Sequence, residues 1–306
     1  MSAYCETCAS IANVFWNHRM FMHEGEVKYY DVLERTLYNA LLSGVSLSGD
    51  SFFYPNPLAS DGQHERQEWF GCACCPSNLT RFLPSVPGYL YSKTDNQIMV
   101  NLYADNTADI DLDGKKVKIK QKTDYPWEGK VDLTINPDEK QQFELRLRIP
   151  GWARNEAVPG KLYRFTESKN QPVEVTVNGE KAEARPEDGY IVLERKWKSG
   201  DKVSLDMPMP VRIIEANEKV KENRGKVAIQ RGPIIYAAEW ADNPEGEVLN
   251  LVFDKNSKLT TEFKPDLLNG IPVIKGKASR AKKTLEDEVV VSEKQELTLI
   301  PYHTWA

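Results

Sequence analysis

Two short segments concentrate the residues able to do chemistry, Tyr4-Cys5-Glu6-Thr7-Cys8-Ala9 and Trp69-Phe70-Gly71-Cys72-Ala73-Cys74-Cys75-Pro76. Zinc takes thiolates and carboxylates in a four-coordinate shell, and these segments offer one carboxylate and three or four sulfurs. Glu6 and Cys8 are two residues apart, so in an extended stretch their side chains share a face. Cys74 and Cys75 stand just before a predicted helix, whose free N–H groups and partial positive charge favour thiolates. Neither Glu-x-Cys nor Cys-Cys is the usual Cys-x-x-Cys zinc spacing. Free cysteines also fill core space without doing chemistry. The spacing alone leaves a metal site, a reactive thiolate and plain packing open.

All five cysteines fall within the first 75 residues. A secreted disulfide scaffold would spread an even number through a short chain, so this odd, clustered set argues against one. Other polar candidates are weaker. His18 and His23 are five apart, off the i, i+4 spacing of a helical metal pair, and read as surface or packing residues. Glu65 and Glu68 lie near the second cysteine segment but read as solvated loop carboxylates. The aromatic loop Phe52–Tyr54 suits either sugar stacking or packing. No phosphate loop, Ser/His/Asp set or nucleotide fingerprint is present.

The elements that must hold these residues change character along the chain. Residues 1–92 carry 15 of the 30 aromatics but only 5 Lys/Arg, against 9 Asp/Glu; the remaining 35 Lys/Arg all follow residue 92. Apolar residues at Ile11, Val14, Phe15 and Met22 favour a helix over Cys8–His23, with Gly25 as its stop. A second helix is predicted over Val27–Ser43, where Val32/Leu33, Thr36/Leu37 and Ala40/Leu41 make one broad stripe. A third opens at Cys75-Pro76-Ser77-Asn78, with Pro76 suited to its first turn. Three helices cannot close a helical domain alone. The stripe is therefore expected to lie bare, as the surface of a larger helical domain, the alternative being that the three helices pack directly on the first sandwich.

From about Gln97 the period is two. Phe143-Glu144-Leu145-Arg146-Leu147-Arg148-Ile149 alternates apolar with charged residues, as a strand with one wet face does. Similar runs occur at Ile98–Tyr103, Val117–Ile119, Val131–Ile135, Val173–Val177, Tyr190–Leu193 and Val227–Ile229. Turn signals such as Asp113-Gly114 and Asn178-Gly179 separate them. The pattern predicts two antiparallel β-sandwiches, over 93–208 and 209–306, following the helical segment 1–92.

The net charge of −5 with no basic block makes nucleic acid an unsuitable partner. No apolar run reaches the roughly 18–20 residues needed to span a bilayer. No charged-then-apolar leader is visible, so a cytoplasmic location is expected. A homodimer is compatible with the sequence, which does not fix an oligomeric state.

The cysteine segments belong to a wider set of motifs. Tyr4–Ala9, Val32-Leu33-Glu34-Arg35-Thr36-Leu37-Tyr38-Asn39, Phe53-Tyr54-Pro55-Asn56-Pro57 and Gly71–Asn78 closely resemble glycoside hydrolase family 127. Arg148–Ala153, Gln230–Tyr236 and Ile300–Trp305 agree with it too, so the resemblance covers nearly the whole chain. It implies β-L-arabinofuranosidase activity on an arabinose-containing glycan, and an α+β multidomain fold in which the end of an (α/α)6 barrel precedes two β-sandwich domains. It further implies a zinc held by Glu6, Cys8, Cys74 and Cys75, with Cys74 as nucleophile through a thioether-linked glycosyl-enzyme. Glu34 and Tyr54 match residues that line the family's sugar site.

One departure bears on activity. A retaining glycosidase needs a general acid/base, and in this family that glutamate lies upstream of the Glu-x-Cys motif. The chain is thus expected to be a C-terminal portion that lacks the proton donor. Competing readings are a non-catalytic carbohydrate-binding or structural β-sandwich protein with a vestigial zinc site, and a purely structural zinc protein.

Overall fold

The computed structural model describes residues 4–168, 171–183, 185–243, 247–284 and 288–305. Helix α1 spans Thr7–Glu24 and stops at Gly25, whose φ of 72° is the left-handed conformation glycine adopts without strain. Helix α2 spans Lys28–Thr36, continues as a π-helical turn over Leu37–Leu41 and ends in a 3-10 turn at Leu42–Gly44. Helix α3 spans Cys74–Phe82 and runs into a 3-10 segment, Leu83–Tyr89. The two cysteines thus form the first turn of α3 rather than preceding it. Among the described residues, no helix is long and apolar enough to cross a membrane.

Among the described residues the strands form three sheets. A five-stranded sheet runs in the order Tyr91–Lys93, Gln97–Val100, Gln141–Arg148, Tyr190–Trp197, Arg185–Glu187. Its Gln97–Val100 and Gln141–Arg148 strands pair in parallel, a departure from the all-antiparallel expectation. A six-stranded sheet, with Asn106–Leu112, Lys115–Thr123, Lys130–Pro137, Asp201–Asp206, Glu174–Val177 and Glu180–Lys181, packs against it. Alternate residues of both, including Phe143, Leu145, Leu147, Val117, Ile119, Val131 and Leu133, share one core. The hairpins turn where expected: Asp113-Gly114 and Asn178-Gly179 both have positive φ.

The strands beyond Pro210 are linked through a third sheet. Its nine strands are joined through the 13-residue strand Ile271–Lys283, which pairs with four others along its length. It also recruits Tyr163–Phe165 from the preceding module, paired with Val211–Ala216.

The stripe on α2 is not bare. Tyr30, Leu33, Leu37 and Leu41 are buried and Val32, Thr36 and Ala40 half-buried; the cover comes from Ile11, Val14 and Phe21 of α1, from Tyr190 of the five-stranded sheet, and from Leu90 and Leu102 beside its first two strands. That sheet's outer face is dry where the helices sit, so the hairpin α1–α2 finds its partners within this chain. The large exposed apolar residues of α1 are instead Trp16 and Met22.

The motifs away from the cysteines act as joints. Arg35 donates to Gln230 Oε1 at 2.8 Å. The Asn39 amide donates to the Pro233 carbonyl at 2.9 Å and accepts from Ile235 N at 2.8 Å. Arg148 donates to Asp31 at 2.8 Å and Glu34 at 2.5 Å, while Gly151 N donates to Asp31 at 2.9 Å. Helix α2 thereby ties the helical segment to both β modules.

Candidate metal and active site

The site forms where the start of α1, the loop after α2 and the start of α3 meet. Glu6 is extended, just before α1, and forms an isolated bridge with Pro55. Thr7 N donates to the Tyr54 carbonyl at 3.0 Å, and Asn56 N to the Cys5 carbonyl at 2.7 Å. The buried Asn56 side chain locks this seam: Nδ2 donates to Cys5 O at 3.1 Å and Thr7 Oγ1 at 3.0 Å, while Oδ1 accepts from Ser43 at 2.8 Å. The Thr7 hydroxyl donates onward to the Phe53 carbonyl at 2.8 Å. Gly44 must be glycine here, since a Cβ on it would fall 2.5 Å from the Thr7 methyl.

This framework brings Glu6, Cys8, Cys74 and Cys75 together, one potential ligand atom from each lying within 4.8 Å of the others. The Cys8 and Cys75 sulfurs are 3.4 Å apart, Cys74 and Cys75 3.8 Å, and Cys74 Sγ is 3.7 Å from Glu6 Oε1. These distances exclude disulfides, whose sulfurs bond at about 2.0 Å. They do fit a tetrahedral centre, because metal–sulfur bonds of about 2.3 Å give ligand–ligand edges of about 3.8 Å. The donor set suits a soft or borderline ion such as zinc. Cys5 and the exposed Cys72 stay outside the cluster.

The three sulfurs differ in surroundings. Cys75 is fully buried, and burial pushes its thiol and that of Cys8 up. Burial also raises Cys74, but hydrogen bonding from Tyr54, Cys8 and Cys75 carries it below the ordinary thiol value. Cys74 is partly exposed and begins α3, where the helix end favours negative charge. Tyr54 stands beside it, and that contact pushes the Tyr54 hydroxyl up. The Tyr54 ring meets Phe70 edge-on at 5.8 Å and lies 6.5 Å from Tyr4.

Glu34 does not join this group. Its carboxylate is buried in the joint with the sandwich, accepting from Tyr125 at 2.7 Å and Arg148 at 2.5 Å. Both contacts of its Oε1 lie inside this joint. His18 packs edge-on to Tyr89 at 4.4 Å and His23 is exposed, as a packing and a surface residue respectively. Glu65 and Glu68 are solvent-exposed. Sequence reasoning missed the residues that hold the cluster, above all Asn56, Thr7, Asn78 and Arg66. Asn56 and Asn78 do lie within the motifs, but nothing in their spacing marks them as partners of the cysteine segments. Arg66 lies over the Phe53 ring, 4.5 Å from its centre, and donates to the Ser43 carbonyl at 3.1 Å.

Known proteins resemble this chain along its whole length. A model described as the β-L-arabinofuranosidase GH127 catalytic domain matches residues 1–88. The GH127 middle domain matches 97–209, and the glycoside hydrolase family 127 C-terminal domain matches 211–306. A non-reducing end β-L-arabinofuranosidase of Bifidobacterium longum subsp. longum is 32% identical over 99% of this chain and 47% of its own length. A solved GH127 β-arabinofuranosidase superposes with a TM-score of 0.95 at 48% identity, over 100% of this chain and 48% of its own. The GH127 β-L-arabinofuranosidase of Geobacillus stearothermophilus T6 superposes at 0.87 with 40% identity, covering 99% of this chain and 48% of its own. The chain spans about half the length of these relatives. With three domain models matched in succession and the same fold throughout, the chain belongs to glycoside hydrolase family 127.

Proposed function

We propose that this chain carries the nucleophile and metal site of a retaining β-L-arabinofuranosidase, with Glu6, Cys8, Cys74 and Cys75 holding zinc. The observation that carries the proposal is the four-residue cluster, in which Cys74 is partly exposed, begins a helix and faces Tyr54. Zinc, when bound, would keep sulfur ionised at neutral pH and make it a workable leaving group. Cys74 Sγ attacks the anomeric carbon as the bond to the leaving oxygen breaks, forming a thioether-linked glycosyl-enzyme. Water then attacks that carbon, the C–S bond breaks and the electron pair returns to Cys74. Two inversions retain the configuration. Tyr54, beside the sulfur, is placed to orient a sugar hydroxyl. An acid/base must protonate the leaving oxygen and later take a proton from water. Glu65 and Glu68 are solvated, so we assign that role to the part of the relatives' length that this chain does not span. Helices α1–α3 are read as the last part of an (α/α)6 barrel, and the substrate as an arabinose-containing glycan.

The test combines metal analysis with paired substrates. The purified chain should hold one zinc, lost in Cys8→Ala and Cys75→Ala. It should cleave a nitrophenyl β-L-arabinofuranoside slowly and the alkyl analogue far more slowly, since a missing acid costs about 10²–10⁴-fold where the leaving group needs its proton. Cys74→Ser should abolish the aryl reaction. Aryl cleavage indifferent to Cys74→Ser would remove Cys74 as nucleophile. Zinc binding with no reaction at Cys74 would favour the non-catalytic sugar-binding reading.

A further inference from the structure

Three sulfurs share the cluster, yet only one can serve as nucleophile, and burial excludes just Cys75. Cys8 and Cys74 are both partly exposed. What separates them is Asn78, one turn beyond Cys74 and Cys75 on the same face of α3. Its Nδ2 lies 3.1 Å from Cys8 Sγ, while its Oδ1 accepts from Arg81 Nη2 at 2.8 Å. Arginine only donates, so the Asn78 oxygen must face Arg81 and the amide N–H₂ is left facing the sulfur. The Tyr54 hydroxyl beside Cys74 is different in kind, because it turns about a single bond and can leave the sulfur for a sugar oxygen.

Resting on the reading of Cys74 as nucleophile, we infer that Asn78, oriented by Arg81, is a positioning residue that holds Cys8 as a purely structural ligand. The amide hydrogen bond occupies one sulfur lone pair and draws charge from it, so the thiolate attacks electrophiles less readily. Such hydrogen bonds around a metal's ligands fix the ligand and tune the centre. Cys74 is thereby left as the reactive sulfur of the group.

The test is alkylation of the zinc-loaded chain by iodoacetamide, read residue by residue by tandem mass spectrometry, in a Cys5→Ser, Cys72→Ser background. A hydrogen bond to a charged group of ordinary strength corresponds to about a tenfold effect. Asn78→Ala should therefore speed alkylation of Cys8 about tenfold and leave Cys74 unchanged. Asn78→Asp keeps the shape and the Arg81 contact but has no N–H, and should show the same gain if the alanine variant folds poorly. Arg81→Leu frees the amide and should give a smaller gain. In the cobalt-substituted chain, both Asn78 variants should shift the sulfur-to-metal charge-transfer band, a change that loss of packing alone does not produce. An unchanged Cys8 rate and band in folded, metal-loaded Asn78→Asp would overturn the inference. Failure of Cys74 to react in the unsubstituted chain would instead strike the nucleophile assignment, while the Cys8 comparison would still read the Asn78 bond.

Discussion

Arg148 of the five-stranded sheet reaches Glu34 of α2 across 2.5 Å, with both side chains out of reach of water. In the strand pattern Arg148 occupies the charged, outward phase, but here the outward face is covered by helices. Burial works against the guanidinium charge, yet Glu34 and Asp31 beside it push its pKa up. Arg148→Met would leave the buried Glu34 with only the Tyr125 hydroxyl, while Asp31 keeps Arg154 and Gly151 N, and should lower stability by about 3–5 kcal/mol, measured by urea unfolding. Glu34→Gln keeps a hydrogen-bonding oxygen and should cost less, but still lower the midpoint. If Glu34 served a sugar site instead of this joint, Glu34→Gln would leave the midpoint in place.

Gly44 tests the seam beneath the cluster. A Cβ there would fall 2.5 Å from the Thr7 methyl and 2.6 Å from its hydroxyl. Thr7 lies between Glu6 and Cys8, so Gly44→Ala should loosen the cluster as well as the fold. Overpacking of this kind costs about 1–3 kcal/mol. Zinc affinity, read by competition with a chromophoric chelator, should fall along with the unfolding midpoint. Adding Thr7→Ala removes the two nearest atoms and leaves only the Cβ at 3.1 Å, so Gly44→Ala should cost clearly less in the Thr7→Ala background than in the unsubstituted chain.

The strands and helices were legible because each carries its own period: seven charged and apolar residues alternate over 143–149, and the α2 stripe recurs every four. The ligand set was legible only through the family motifs, since the cluster joins residues almost 70 positions apart. Three features were hidden for a shared reason. Burial of the α2 stripe, burial of Arg148 and the joint made by Glu34 all arise where the helical hairpin lands on a sheet face. Neither period specifies that contact. The pairing of Ile271–Lys283 with four different strands was equally unreadable, because period two does not say which strands become neighbours.

The end of the chain braces the loop that carries Tyr54. Trp305 stacks on Phe53 with ring centres 5.0 Å apart, and Arg66 lies over both rings. Tyr302 donates to the Pro57 carbonyl at 3.1 Å. Trp305→Ala should cost about 2 kcal/mol of stability, from lost burial and the stacked pair. Its sharper effect should be local: protease cutting within 51–70 should speed up well before the sandwich core yields. Cutting that stayed at the unsubstituted rate would show that the loop holds itself.

His303 makes stability depend on pH. Burial holds its pKa down to about 4, opposed in part by a backbone hydrogen bond at Tyr38, and its ring stacks on Trp127 at 6.0 Å. Its Nδ1 has no hydrogen-bond partner among the described residues, so a proton there would gain no acceptor. In the unfolded chain the same imidazole titrates near 6.5. As pH falls, the unfolded state therefore takes up its proton first. The His303 contribution is fully present above about 6.5 and is lost progressively down to about 4, amounting to at most about 3 kcal/mol. His18, also lowered by burial, adds in the same direction. Urea unfolding at pH 7, 6, 5 and 4.5 should show the midpoint dropping through this window. His303→Phe, which keeps an aromatic ring against Trp127 but cannot take a proton, should flatten most of the slope. A His303→Phe chain that loses stability between pH 7 and 4.5 as steeply as the unsubstituted one would assign the slope to other groups.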